Sequence, residues 1–371
     1  MDRASIQFIE LLRAATKRDR VTVESKLSLE LVSQLWRLAQ RHQVEGMIAD
    51  QLLSHEELPL DTSIQLMSYT QGLQRLSSKM SATIAQLVND LEQHHLHPIL
   101  IKGHANAVLY PNPLLRTVGD IDLFFPTQEE FLKVVALMHS RGLKIHSETK
   151  SDKLLHKAIE IKPFLLECHG QLLYLPMTHN NKLFQSYYTQ SLKESPHATI
   201  SIHNTSVQVL PPELQLVHTF LHFWSDYLYG GAQLKRLLDL YFIVERYGEI
   251  VDRSRLSYLL CEMKLEYQLS LFGALLHRWF HLPIESMPWP QPQPTATWHR
   301  DIQVLAQSYF QDRADHLISR APQGSLWCHR FWKWWSIMDF NYYHQRVLGH
   351  YAFRAPISML LFRAKETVEG R

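Results

Sequence analysis

The 371-residue chain has little cysteine, little net charge and no long apolar run. Its three cysteines, Cys168, Cys261 and Cys328, are widely spaced and odd in number. That argues against a disulfide-stapled scaffold and fits a reducing compartment. None belongs to a Cys-x-x-Cys pair, so a zinc ribbon is not expected. Thirty-eight basic residues against 36 acidic ones leave a formal charge of +2, so bulk charge does not announce a nucleic-acid binder. No stretch of about 18 apolar residues occurs, and no transmembrane helix is expected. The first twenty residues lack the apolar core and small-residue cleavage site of a signal peptide, which makes a cytoplasmic protein the expectation. What is present is a globular composition, 46% hydrophobic and 20% charged, long enough for two or three lobes. The 22 histidines are many, and they add positive charge as pH falls through about 6.5.

The stretch Pro98–Phe125, PILIKGHANAVLYPNPLLRTVGDIDLFF, organises the rest. Ile99-Leu100-Ile101 suits a buried strand, followed by Lys102-Gly103-His104, a short helix-like piece and a proline-punctuated loop. Gly119-Asp120-Ile121-Asp122-Leu123-Phe124-Phe125 reads as a second strand. Alternation puts Asp120 and Asp122 on one side, and Ile121, Leu123 and Phe125 on a core-facing side. Two carboxylates crowded on one strand face repel each other unless a cation sits between them. Mg²⁺, which takes carboxylate and phosphate oxygens together, is the natural candidate. A bare Asp-x-Asp is also a common polar strand edge, so its context decides. Gly103 lies 17 residues upstream and Arg116 just before the acidic strand.

Residues 1–96 read as helical, with Ser28 capping a second helix and apolar residues near a 3.6-residue period from Thr62 to His94. Thr127 followed by Glu130 has the form of a capping box, opening a helix that runs to about Arg141 and ends at Gly142. A strand is expected over Leu143–Glu148, then a polar turn at Thr149–Lys153. Two extended runs follow, Lys157–Ile161 and Phe164–Cys168, divided by Lys162-Pro163. Strands alternating with a single helix suit a small mixed sheet. In the second run Leu165, Glu167 and His169 share a face, so Glu167 presents a third carboxylate beside Asp120 and Asp122, or is an ordinary strand residue.

Residues 170–204 read as loop and extended pieces, before a strand at Val207–Leu210. A helix over Glu213–Tyr227 carries His218 and His222 four apart, where they line a cleft or pack in the core. A helix over Gln233–Tyr247 carries Lys235, Arg236 and Asp239. Another helical segment spans 254–280. A stiff proline-rich link, Pro283–Pro294, precedes a final helical part rich in Trp327, Phe331, Trp332, Trp334 and Trp335 beside Arg330 and Lys333. Packing is the favoured reading of that run over membrane or nucleic-acid contact. The tail, Phe362–Arg371, is polar and expected to fray.

Ile101-Lys102-Gly103, Tyr110-Pro111, Arg116 and Asp120-Ile121-Asp122-Leu123 together resemble the polymerase-beta-like nucleotidyltransferase superfamily. They look most like a bacterial branch with a Lys-Gly…Asp-x-Asp pattern. The branch's Glu-Leu-His reads Glu167-Cys168-His169 here, and His156 matches a histidine upstream of that strand. Where the superfamily has Gly-Ser or Gly-Gly, this chain has Gly103-His104. The helix bearing Lys235 and Asp239 is similar to the branch's arginine–aspartate helix, with Gln233 and Lys235 at its basic positions.

The resemblance implies an α+β fold: a small mixed-sheet core over 97–210, flanked by helical lobes over 1–96 and 211–371. It implies Mg²⁺-dependent transfer of a nucleoside monophosphate from an NTP to a hydroxyl on a small molecule, a protein or an RNA end. Asp120, Asp122 and Glu167 would be catalytic and would hold two Mg²⁺ ions, with Glu167 also helping to deprotonate the acceptor. Lys102, Gly103, His104 and Arg116 would bind the nucleotide. His169, His222, Lys235 and Asp239 are acceptor or cleft candidates, though Lys235 and Asp239 also suit a surface ion pair. Two rival readings are a non-catalytic nucleotide-binding or interaction protein and a toxin-like tRNA nucleotidyltransferase. Nucleic acid is a partner the near-neutral charge does not favour.

Overall fold

A computed structural model of the chain describes residues 2–17, 19, 28–55, 58–117, 119–146, 156–175, 177–195, 198–229, 231, 233–310 and 326–369. Two compact units emerge. One is Arg3–Tyr174 with Gln190–Gln215; the other is Met1–Asp2, Leu175–Thr189 and Leu216–Arg371.

The first unit begins with four helices, α1 (Arg3–Lys17), α2 (Leu29–His42), α3 (Glu45–Leu53) and α4 (Leu60–Gln93). α2 starts as its sequence reads, with the Ser28 side chain accepting from the Leu31 N–H. α4 buries a stripe of Met80, Ile84, Val88 and Leu91, spaced so that one helix face meets the sheet. Then come β1 (Ile99–Leu100), α5 (Lys102–Ala107), a 3₁₀ turn at Pro113–Leu115, β2 (Ile121–Phe124) and α6 (Gln128–Ser140). The cap at α6 forms through the threonine side chain, whose Oγ1 accepts from the Glu130 N–H and donates to Glu130 Oε2, and Gly142 takes φ +74° just past the helix end.

β3 (Ile145–His146), β4 (His156–Ile161) and β5 (Phe164–His169) follow; after α7 (Thr178–Glu194) come β6 (Ala198–Ile202) and β7 (Thr205–Val209). The seven strands form one mixed sheet in the order β3-β4-β5-β2-β1-β7-β6. β2 runs parallel to β5, β1 runs parallel to β7, and the remaining pairs are antiparallel. The fold is therefore α+β with a mixed sheet. One sheet face presents Ile121, Leu123, Phe125, Leu166 and Cys168 to a core shared with α4 and with Phe131, Val134 and Met138 of α6.

One glycine allows the helices to meet the loop that leads into β2. A Cβ on Gly46 of α3 would lie 2.2 Å from the Leu115 carbonyl oxygen, a distance no side chain tolerates. Bare backbone there lets α3 lie directly on the Pro113–Leu115 turn, immediately before Arg116.

Residues 170–204 differ from the loop that the sequence suggests, because Thr178–Glu194 is a 17-residue helix. Its buried positions are Asn180, Phe184, Tyr187 and Ser191, spaced four, three and four apart. Two of those four are polar, so the apolar periodicity that announces a helix is missing. The expected turn at 149–153, and the end of the expected strand over 143–148, lie outside the described residues.

The second unit is helical: α7 up to Thr189, α8 (Pro212–Leu228) from Leu216 on, α9 (Leu234–Tyr247), α10 (Arg253–Met263), α11 (Glu266–Phe280), α12 (Ala296–Ser308), α13 (Leu326–Tyr343), α14 (Gln345–Leu348) and α15 (Tyr351–Glu369). The segment 254–280 is two helices rather than one, broken where Lys264 adopts φ +57°. A lysine there gives none of the signal that a glycine stop would. α15 continues to Glu369, through the tail expected to fray. An aromatic cluster anchors this unit: Tyr227 meets Phe272 and Phe340 edge-on at 5.5 and 5.6 Å, and Trp224 meets Tyr351 at 5.4 Å. Among the described residues, no helix is long and apolar enough to cross a membrane.

Candidate active site

The register of β2 on β5 builds the acidic cluster. Asp122 is paired with Glu167 across two parallel strands, so their side chains leave the sheet on the same face. Asp120, two residues before Asp122, joins them. One carboxylate oxygen from each of the three lies within 4.8 Å of the others. Asp122 is 3% exposed and Phe124 on the same face is fully buried, whereas Asp120 and Glu167 are half-buried, so the face is shut at Asp122 and reaches water at its neighbours.

Buried charges need partners, and the cluster has a lysine and two imidazoles of its own. Lys102 Nζ lies 2.7 Å from Asp122 Oδ1 and 3.9 Å from Glu167 Oε2. His169 Nε2 lies 2.9 Å from the same Asp122 oxygen and 3.5 Å from Glu167 Oε2. His156 Nε2 lies 3.2 Å from Glu167 Oε2.

Three similar acids consequently behave differently. Burial, then the charges of Asp122 and Glu167, push the Asp120 carboxyl up. Burial also pushes Asp122 up, but the Lys102 charge and the His169 hydrogen bond outweigh it and hold Asp122 below the ordinary carboxylate range. Glu167 is likewise penalised by burial and held down more strongly by hydrogen bonds to His156 and His169, with help from Lys102. The repulsion still felt at Asp120 is what a dication between these oxygens would relieve. Three hard oxygen donors are the ligand chemistry that Mg²⁺ takes.

The Lys102-Gly103-His104 turn is organised around its lysine. Lys102 takes the left-handed conformation, φ +53°, which is costly for a side-chain-bearing residue and is held by the surrounding structure. Gly103 is free of that demand, and a Cβ on it would sit at an ordinary 3.6 Å from Arg116 Nη1. Arg116 is 3% exposed, with its guanidinium 5.8 Å over the Tyr110 ring. His104 turns to α4, where its Nε2 lies 2.7 Å from Ser81 Oγ. Burial, and secondarily Arg116, lower its pKa to about 4, so this imidazole packs as a neutral group.

A family model described as uncharacterised nucleotidyltransferase matches residues 30–281, more than half of the chain. The chain belongs to that uncharacterised nucleotidyltransferase family. The matched span begins within α2 and contains both acidic strands, leaving α1 outside it. No curated protein matches the chain. Among solved structures, a nucleotidyltransferase-like antigenic protein from Paracoccidioides brasiliensis is similar over 56% of this chain and 98% of its own, at 16% identity and a TM-score of 0.35.

Seven of the residues singled out from the nucleotidyltransferase pattern lie in the sheet unit together with His169: Lys102, Gly103, His104, Arg116, Asp120, Asp122 and Glu167. His222, Lys235 and Asp239 belong to the helical unit. His222 Nδ1 lies 3.4 Å from Asp226 Oδ2, which Arg236 Nε also reaches at 3.1 Å. His218, one turn earlier on α8, is 1% exposed and packs in the core. Asp239 is also 1% exposed, on the buried face of α9. The sequence marks His156 only through the family pattern, yet it contacts Glu167. The available signal was the hairpin: counted outward from Lys162-Pro163, His156 and His169 are equally distant and pair across β4 and β5.

Proposed function

We propose that the chain transfers a nucleoside monophosphate from an NTP to an acceptor hydroxyl, using the Asp120–Asp122–Glu167 cluster. The observation that carries this reading is the convergence of three carboxylates within 4.8 Å on neighbouring strands of a nucleotidyltransferase-family chain. Asp120, Asp122 and Glu167 are the residues that would hold Mg²⁺. Bound there, Mg²⁺ would neutralise triphosphate charge and stabilise the attacking and leaving oxygens of an in-line displacement.

The acceptor oxygen forms a bond to the α-phosphorus, the bond from that phosphorus to the bridging oxygen breaks, pyrophosphate leaves, and the acceptor proton is released. Lys102, already among the carboxylates, supplies a positive charge next to the reacting phosphates. Glu167, held ionised by His156 and His169, suits a permanent anionic ligand better than a base. Arg116, packed beside Gly103, stiffens the turn that carries Lys102. His104, buried against Ser81, acts through packing and not through phosphate contact.

One observation favours a second reading, a nucleotide-binding protein without turnover. Lys102 and His169 already satisfy Asp122 at 2.7 and 2.9 Å, so its carboxylate has partners within the chain itself. Incubation with each labelled NTP, Mg²⁺ and a panel of small-molecule, protein and RNA acceptors separates the two. Transfer predicts pyrophosphate release that Asp122→Asn abolishes, with label appearing in one acceptor class. Nucleotide binding without pyrophosphate release from any NTP would leave only the second reading.

A further inference from the structure

The acidic cluster does not use all the donors on its sheet face. His156, Glu167 and His169 form a second group whose donor atoms all lie within 4.8 Å of one another. Glu167 Oε2 is the common point, 3.2 Å from His156 Nε2 and 3.5 Å from His169 Nε2. Ligand atoms about 2.0–2.1 Å from a tetrahedral ion stand about 3.4 Å from each other. These two spacings therefore already match the edges of a single coordination sphere.

The backbone fixes that arrangement. His156 and His169 are register partners on antiparallel β4 and β5, and Glu167 lies two residues from His169 on the same face. Their rings are 4.9 Å apart and tilted by 47°, with both Nε2 atoms near the same Glu167 oxygen. The His156 side chain is 35% exposed, whereas His169 is 10% exposed, so the group has a wet side and a buried side.

Donor chemistry separates this group from its neighbour. Three carboxylates suit a hard ion, but two imidazoles and a carboxylate suit a borderline first-row dication. We propose that His156, Glu167 and His169 bind a transition-metal dication of the Zn²⁺ class, in a site that adjoins the Asp120–Asp122–Glu167 cluster and shares Glu167 with it. Water or a substrate oxygen would complete the coordination from the exposed side. In the alternative, the histidines serve only as ion-pair partners, since His169 Nε2 is also 2.9 Å from Asp122 Oδ1. The metal site does not rest on nucleotidyl transfer, because binding is read without nucleotide.

The test titrates the full-length, chelator-stripped protein with Co²⁺, followed by its visible absorption, and then displaces Co²⁺ with Zn²⁺ in a calorimeter. One equivalent is expected, with absorption showing nitrogen ligation and tighter binding of Zn²⁺ than of Mg²⁺. His156→Ala and His169→Ala should each weaken Zn²⁺ by about tenfold or more, given that loss of a mere orienting group near a metal costs about tenfold. Asp120→Asn should leave Zn²⁺ bound. His156→Gln keeps size and polarity at a half-exposed position and answers the same question should an alanine variant not fold. Zn²⁺ affinity unchanged by the histidine substitutions, or lost in Asp120→Asn alone, would place the ion on the carboxylates and overturn the proposal, as would no binding at all. Zn²⁺ binding with no nucleotidyl transfer would remove only the reading of the acidic cluster.

Discussion

On one side of β2, Ile121, Leu123 and Phe125 lie among Ile84, Val88, Phe131 and Val134. On the other, Asp120 and Asp122 lie beside Glu167, Lys102 and His169. Leu123 and Asp122 are both buried, at 0% and 3% exposed, while Asp120 and Glu167 beside Asp122 are half-buried. The difference lies in how burial is satisfied. Apolar contact stabilises the first side directly. On the second, removing charge from water costs free energy that ion pairs only offset. Stability should therefore reside on one side and chemistry on the other, and substitutions on adjacent residues should separate the two.

The largest effect is expected at Asp122. Asp122→Asn removes an ionised ligand worth several kcal/mol in charge stabilisation, so pyrophosphate release should fall on the order of a thousandfold. It should also lower the melting temperature, since Lys102 loses its closest partner. Leu123→Ala, one residue along, should cost about 3 kcal/mol in chemical denaturation and leave NTP affinity of the folded protein unchanged. Equal loss of NTP affinity in both variants would break the comparison.

A pH series sharpens it. His104 is held near pKa 4 in the fold, against 6.5 when exposed. Below the exposed value the unfolded chain takes up a proton that the native state refuses. Stability is thus fully present above about pH 6.5 and declines as pH falls towards 4, by up to about 3 kcal/mol. Melting curves of the native protein and His104→Gln between pH 7 and pH 4 should converge as acid is added. Parallel curves would show that this imidazole is not buried neutral.

Smaller changes are expected at two further positions. Gly46→Ala forces a methyl against the Leu115 carbonyl and should cost about 1–3 kcal/mol by denaturant melts, displacing the turn before Arg116. Asp120→Asn should raise the melting temperature slightly while abolishing transfer, because burial and then two acidic neighbours penalise its charged form and its carboxyl is the one of the three pushed up. A fall in melting temperature would show that Asp120 has a compensating partner.

Much of this was legible in the sequence because strands expose their logic in pairs of residues. Asp120, Asp122 and Glu167 each sit two positions from a like-facing neighbour, and the Thr127 cap and the Ser28 cap mark helix starts without tertiary help. Elements defined by distant contacts were not legible. α7 anchors itself through Asn180 and Ser191, which carry no apolar signal. The break between α10 and α11 falls on a lysine. The Lys102–Asp122 ion pair depends on a left-handed residue that no local rule predicts. His104, placed by motif in the nucleotide turn, is claimed by Ser81 on a helix 23 residues earlier.

The most direct test of the central claim is the affinity of the protein for each NTP, by calorimetry, with Mg²⁺ and with chelator. A metal-holding carboxylate cluster predicts that Mg²⁺ tightens NTP binding in the native protein and does nothing in Asp122→Asn. Equal affinity with and without Mg²⁺, or a Mg²⁺ effect that survives Asp122→Asn, would contradict it.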